Sequence, residues 1–332
     1  MKPSFAFDLT VATVCRNARA CLPRCIESVQ PLYRMNLRVE HLLVDGCSDD
    51  GTVAYLHEQL AAGRISRFIS EPDAGLYDAM NKAIRLAKGQ IIVFINADDE
   101  ICPESVELCC EPILSGRAEY TVARALYVSD RTEKIMSPRM DAVLWSQPYC
   151  HQSMYCSVDL LARVGGFRGD MFRIAADTDL MRRLYALQVP CECVDSVASR
   201  FYEGGVSSSA SVYREVYKLT LHHVDLYCKE VQKKPECLVD VLSHFCRVSS
   251  RALVHREPGI KVCAADTDVE KMQEFLRKVR CAASPVTLVC NRRYYFFKSI
   301  SYALVGLVRG GRKREMSKQL AFICRLVYLC LR

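Results

Sequence analysis

Two hydrophobic periods take turns along the first hundred residues. Residues 5–15, 39–45, 65–70 and 90–95 are short apolar runs rich in β-branched side chains and read as strands. Between them, 18–29, 52–62 and 77–87 carry apolar positions at three- and four-residue spacing and read as helices. Strands separated by helices predict right-handed crossovers and an α/β fold, a mostly parallel sheet flanked by helices. From 119 to 210 the pattern mixes strand-like stretches (120–128, 190–194) with helices (158–164, 177–187). Beyond 211 helical spacing dominates, which predicts a catalytic or binding domain over 1–210 and a helical C-terminal appendage over 211–332.

One strand is unlike the others. Ile91-Ile92-Val93-Phe94-Ile95 is apolar without interruption, as in a strand covered on both faces, and it runs into Asn96-Ala97-Asp98-Asp99. Two adjacent carboxylates at the mouth of a buried strand repel each other unless a cation neutralises them. Hard cations such as Mg²⁺ and Mn²⁺ take oxygen ligands and hold nucleotide phosphates through one or two carboxylates. In open α/β sheets ligands bind beyond the carboxyl ends of the strands, where Asp98 and Asp99 fall. The plainer alternative is a solvated turn leading to a helix near Pro103.

Two further segments share that edge. Val44-Asp45-Gly46-Cys47-Ser48-Asp49-Asp50-Gly51-Thr52 is an acidic turn after a strand. Asp45 can accept hydrogen bonds from a base or ribose, and Ser48 or Asp49 can cap the next helix. Glu71-Pro72-Asp73-Ala74-Gly75 is turn chemistry and leads into Leu76-Tyr77-Asp78-Ala79-Met80-Asn81-Lys82, a helix start with Asp78, Asn81 and Lys82 on neighbouring turns. Such a start favours anions, and Lys82 adds a phosphate-compatible charge.

Taken in order, Thr13-Val14-Cys15-Arg16-Asn17, Val44-Asp45-Gly46, the block Glu71–Lys82 and Asn96-Ala97-Asp98-Asp99 resemble the family 2 inverting glycosyltransferases of the GT-A fold, in the branch that builds bacterial exopolysaccharide, O-antigen or glycolipid. The resemblance spans roughly 5–210 and implies transfer from a nucleotide-sugar, most commonly a UDP-sugar, with Mn²⁺ or Mg²⁺ as cofactor. It implies Asp45 against the base and Thr13 and Asn17 in the first nucleotide-binding loop. Asp73, Asn81, Lys82, Asp98 and His151 would surround the donor. The family's aspartate-any-aspartate triplet has Asn96 in its first place here, leaving Asp98 or Asp99 as direct metal ligand. Its usual Glu-Asp pair appears as Ala176-Asp177, which implies Asp177 as the base that deprotonates the acceptor hydroxyl, with Asp179 as the alternative. Tyr149-Cys150-His151-Gln152-Ser153 and Gly165-Gly166-Phe167 resemble segments on the acceptor side of the cleft, and Tyr202 to Ser208 resembles a family loop near the active site.

Two other classes of function compete. A nucleotidyltransferase would carry a glycine-rich, basic loop after the first strand, whereas Cys15-Arg16-Asn17-Ala18-Arg19 has no glycine. A non-catalytic sugar- or nucleotide-binding scaffold on the same fold would tolerate Asn96 and Ala176.

Charge changes the picture only at the C-terminal end. Residues 1–210 carry 22 Lys/Arg against 27 Asp/Glu, and residues 211–332 carry 23 against 11. Basic residues interleave with aromatics in Asn291-Arg292-Arg293-Tyr294-Tyr295-Phe296-Phe297-Lys298, and 310–314 is basic. That composition suits an interface with anionic lipid, ahead of packing on the catalytic domain or on a second subunit, and no nucleic-acid partner is expected. The apolar stretches 299–308 and 320–331 fall short of the ~18 residues of a spanning helix, and Arg325 interrupts the second. Nineteen cysteines show no zinc-finger spacing and no paired CxxC, and Met1-Lys2-Pro3 opens no secretory signal. The expectation is a reduced, cytoplasmic protein, peripheral at the inner face of the plasma membrane, with a lipid-linked glycan as acceptor.

Overall fold

The computed structural model describes residues 5–144, 146–204 and 211–233, with 241, 244, 274, 277 and 278. The chain divides into two compact units, Met1–Ser207 and Ser208–Arg332. In the first, β1 (Phe7–Cys15), α1 (Leu22–Val29), β2 (Val39–Asp45), α2 (Thr52–Ala61), β3 (Arg67–Ser70), α3 (Leu76–Leu86) and β4 (Gly89–Phe94) alternate regularly. Then come β5 (Glu100–Ile101), α4 (Val106–Leu114), β6 (Tyr120–Val128), β7 (Glu133–Met136), β8 (Met154–Ser157), α5 (Val158–Arg163), α6 (Ala176–Ala186) and β9 (Cys191–Tyr202). In the second unit the described elements are α7 (Ser211–His222) and α8 (Val224–Lys233). The basic aromatic tail expected at 291–298, with 310–314 and 320–331, lies outside the described residues. Among the described residues no helix is long and apolar enough to cross a membrane.

The nine strands form one sheet in the order β3-β2-β1-β4-β8-β6-β9-β5, with β7 on β6. From β3 to β4 every pairing is parallel, as the alternating pattern predicts. Beyond β4 the sheet is mixed: β8 runs antiparallel to both β4 and β6, and β9 returns parallel to β6. The sequence expectation of a mostly parallel sheet therefore describes its first half. The short strands β5, β7 and β8 carry too few residues to show a period, and β9 extends eight residues past the expected 190–194.

Both faces of the sheet are covered, which explains the continuous apolar run in β4. Leu9, Val11, Ile91 and Val93 face a cluster with Leu22, Cys25, Ile26 and Val29 of α1 and Val106, Cys109 and Ile113 of α4. The four α1 residues follow i, i+3, i+4, i+7 spacing, and Pro23 sits in the first turn, where it loses no helical hydrogen bond. Each such fully buried aliphatic side chain contributes on the order of 2 kcal/mol. Tyr77, Met80, Ala83 and Ile84 give α3 its own buried stripe against β1 and β2. The described cysteines are all free, and several are core residues; burial pushes the Cys25 and Cys109 thiols up to about 12, so they pack as small hydrophobes.

Register sets the functional edge. Cys15 is abreast of Asp45 across β1 and β2, and Asp45 is abreast of Ser70 across β2 and β3. The carboxyl ends of β3, β2, β1 and β4 thus open on one side, with the loops 16–21, 46–51, 71–75 and 95–99 above them.

Candidate active site

Asp45 is fully buried at this edge, and its oxygens are already occupied. It accepts from the Ser48 amide at 3.0 Å, from the Ser48 hydroxyl, from the Ser70 hydroxyl at 2.6 Å and from the Cys15 thiol at 3.7 Å. The register just described brings Cys15 and Ser70 to either side of it. Gly46 follows. A Cβ there would collide with the Asp73 carboxylate and lie 3.5 Å from Arg16 Cδ, so the missing side chain lets Asp73 and Arg16 flank the end of β2. Asp73 also accepts from the Gly75 amide at 2.9 Å, which holds its carboxylate in place.

The loops after β1 and β2 are stitched together. Asn17, with a left-handed backbone (φ 52°), accepts from the Asp49 amide at 3.0 Å, while its own amide donates to Ser48 Oγ at 2.7 Å. Gly51, rather than Ser48 or Asp49, is the N-cap residue of α2, and Asp50 just before it binds the first helical residue. Asp50 accepts from the Thr52 hydroxyl at 2.5 Å, the Arg19 amide at 3.0 Å and the Thr52 amide at 3.0 Å, and these donors hold its pKa below the usual carboxylate range. Thr13 turns away from this edge: its hydroxyl meets His41 Nε2 at 3.1 Å and Cys25 Sγ at 3.6 Å inside the core. Its side chain is thus a packing group beneath α1, not a wall of the cleft.

The block Glu71–Lys82 spends its polar groups on the protein itself. Lys82 donates to the Pro72 carbonyl at 2.6 Å and pairs with Glu71 at 3.0 Å and Asp78 at 3.6 Å. Asp78 accepts from the Ala74 amide at 3.0 Å. Asn81 donates to the Phe167 carbonyl at 2.7 Å and accepts from the Phe167 amide at 2.9 Å. Of the two block residues expected at the donor, Asn81 is thus bonded to the Phe167 backbone and Lys82 to the Pro72 carbonyl and the Glu71 and Asp78 carboxylates.

The acidic turn separates its two carboxylates. Asp99 points inward, fully buried, accepting from the Tyr202 amide at 2.7 Å and from Gln152 Nε2 at 2.5 Å. Burial raises its pKa to about 6, opposed by those donors and reinforced by neighbouring Asp98. Asp98 is half-buried, and its backbone carbonyl accepts from Arg24. The same guanidinium stacks 3.7 Å over the Tyr202 ring and pairs with Glu100 at 3.3 Å, and Tyr202 donates its hydroxyl to Glu100 at 2.8 Å. Arg24, Gln152 and Tyr202 therefore lock the turn from α1, from the segment before β8 and from β9. The sequence gives no signal for Arg24, whose partners lie 74 or more residues away.

Asp177 opens α6 and is nearly buried. Gln147 Nε2 donates to its Oδ2 at 2.9 Å, and His151 Nδ1 stands 3.7 Å from the same oxygen. Burial lowers the His151 pKa against the upward pull of Asp177, so the imidazole is neutral at pH 7, and its Nε2 has no hydrogen-bond partner. Asp179, the alternative base, is fully buried and bound to Arg183 at 2.8 Å.

One short stretch connects the two clusters. Gln152 accepts from the Asn96 amide at 3.0 Å while donating to Asp99, and Gln147 and His151, a few residues earlier, engage Asp177. The acidic turn and Asp177 are thus both tied to the 147–152 segment.

Residues 10–176, just over half of the chain, match the model of glycosyl transferase family 2. An uncharacterised glycosyltransferase of Mycobacterium tuberculosis is 30% identical over 194 residues, 56% of this chain and 72% of that protein. A PGL/p-HBAD biosynthesis glycosyltransferase of Mycobacterium bovis is 28% identical over 193 residues, 54% of this chain and 70% of its own length. Among solved structures, S. aureus TarS 1–349 in complex with UDP superposes with a TM-score of 0.60 at 12% identity, covering 96% of this chain and 90% of that one, a likeness of fold.

Proposed function

Because the chain belongs to glycosyl transferase family 2, it is a glycosyltransferase that draws on a nucleotide-sugar, and we propose that it is an inverting, metal-assisted enzyme using a UDP-sugar. The acceptor in this reading is a hydroxyl of a glycan or lipid-linked glycan at a membrane surface, as the basic aromatic tail suggests. The observation that carries the proposal is the 147–152 segment, which ties the acidic turn to Asp177.

Asp177 takes the proton of the acceptor hydroxyl as that oxygen attacks the anomeric carbon from the face opposite the diphosphate. Gln147 fixes one carboxylate oxygen, and neutral His151 lines the same pocket without competing as a cation. On the nucleotide side, Arg16 and Asp73 flank Gly46 above the fully occupied Asp45. Asp73 is then the carboxylate nearest a base entering over β2, and Asp45 supports the loop from below.

The residues of the acidic turn fit a divalent cation. Asn96 Oδ1 is buried with no hydrogen-bond partner, and half-buried Asp98, two residues on, offers a carboxylate; both are oxygen donors of the kind Mg²⁺ or Mn²⁺ takes. A cation held there would stabilise charge on the departing diphosphate. Asp99 supports the turn rather than ligating.

Calorimetric titration of UDP, the nucleotide held by the TarS neighbour, tests the donor side. Binding that needs both Mn²⁺ and Asp98 supports the reading, and equal binding without metal removes the cation from it. For the base, Asp177→Asn is expected to abolish transfer and leave UDP affinity intact. Transfer at the wild-type rate would make the assignment of Asp177 wrong.

A further inference from the structure

We propose that Asn81 and Tyr77 are positioning residues for Asp177, so that α3 is a strut joining the nucleotide-side loop to the segment that carries the base. The proposal rests on the reading of Asp177 given above.

Asn81 uses both halves of its amide on one residue, donating to the Phe167 carbonyl at 2.7 Å and accepting from the Phe167 amide at 2.9 Å, as a neighbouring strand would. One turn earlier, Tyr77 donates its hydroxyl to the Ile174 carbonyl at 2.7 Å. Ile174 precedes Asp177 by three residues, so α3 grips the 167–174 segment near both ends just before it enters α6. The rings reinforce the grip. Tyr77 stacks on Phe167 at 5.4 Å, and Phe167 meets Phe94, the last residue of β4, edge-on at 5.5 Å.

Glycines make the close approach possible. Gly166 has φ 59°, and a Cβ on it would collide with Asn81 Oδ1; a Cβ on Gly169 would lie 2.9 Å from Tyr77 Cβ. At the other side of the helix start, Asp78 and Lys82 hold the Ala74 amide and the Pro72 carbonyl, beside the Asp73 that flanks Gly46. One helix thus fastens the loop on the nucleotide side and the approach to Asp177. That double attachment accounts for Tyr77, Asp78, Asn81 and Lys82, and leaves Asp73 as the polar residue of the block facing the nucleotide side.

The test uses the full chain, with Asn81→Ala and the nearly isosteric Tyr77→Phe, which keeps the ring stack and loses only the hydroxyl. Hydrogen exchange is expected to speed up about tenfold or more in the 167–176 amides of Asn81→Ala, with β1 and β4 unchanged. With UDP-GlcNAc as donor, kcat should fall about tenfold while the Kd for UDP stays within about twofold, the split that a positioning role requires. Tyr77→Phe should move the same readouts in the same direction by less. Unchanged exchange at 167–176, or UDP affinity falling in step with kcat, would overturn the proposal. If Asp177→Asn is inactive and Asn81→Ala is not, the strut alone fails; if Asp177→Asn keeps the wild-type rate, the base reading fails with it.

Discussion

His41 makes the fold acid-labile by a calculable amount. The imidazole lies fully buried in β2, with Nε2 on the Thr13 hydroxyl and Nδ1 without a partner. Burial alone lowers its pKa from 6.5 to about 3. The unfolded chain therefore takes up a proton near pH 6.5 that the folded protein refuses until about pH 3. Stability from this group is fully present above pH 6.5 and is lost as the pH falls through that window. Between pH 7.5 and 4.5 the unfolded state gains about 2 pH units of protonation free energy, or about 2.7 kcal/mol. That figure hardly depends on how far below 4.5 the folded value lies, because the folded imidazole is neutral at both pH values. His41→Gln keeps a group able to bond Thr13 and cannot titrate. Urea unfolding, followed by the fluorescence of the chain's single tryptophan, Trp145, gives the stability of both proteins across that range. The wild type should lose about 2.7 kcal/mol more than the variant on going from pH 7.5 to 4.5. Equal losses would refute the reasoning and mean that the folded core accepts the protonated imidazole.

Other sites give sharper local tests. Gly89→Ala would bring a Cβ within 2.5 Å of the Thr10 amide nitrogen and 2.7 Å of the Leu9 carbonyl carbon, forcing β1 to move. It should destabilise by about 3 kcal/mol in urea unfolding, against about 1 kcal/mol for Gly63→Ala, which has φ 67° but open space. Gln152→Ala strips partners from the Asn96 amide and from buried Asp99 and should cost about 2–4 kcal/mol in the same assay; a cost under about 0.5 kcal/mol would show water replacing the amide.

The parallel half of the sheet was legible because both of its faces are buried. β4 is apolar on almost every residue, β1 and β2 are mostly apolar with Thr10, Thr13, Glu40 and His41 buried among the apolar positions, and the helices between them need one stripe each. The mixed half was harder to read. β9 alternates partly exposed residues, its pairing with β6 shifts register around Arg124, and β5 is two residues long, so no period marks them. At the site, the kinds of residue were readable but their directions were not. Asn81 and Lys82 have the chemistry of a phosphate pocket, and only the positions of Phe167 and Pro72 show which backbone groups they bind.

By itself, then, the order of apolar and polar residues determined the alternation of strands and helices, and with it the edge on which Asp45 and Asp98 emerge. Local periodicity suffices for that, since side-chain direction repeats every two or 3.6 residues. Which of two adjacent carboxylates faces the cleft was a tertiary decision. Asp99 turns inward because Gln152 and the Tyr202 amide, 53 and 103 residues further along the chain, supply the hydrogen bonds its burial demands. Asp98 has no such donors for its carboxylate among the hydrogen bonds described and stays toward solvent. A buried polar group goes where its partners are, and those partners are brought together only by the folded sheet.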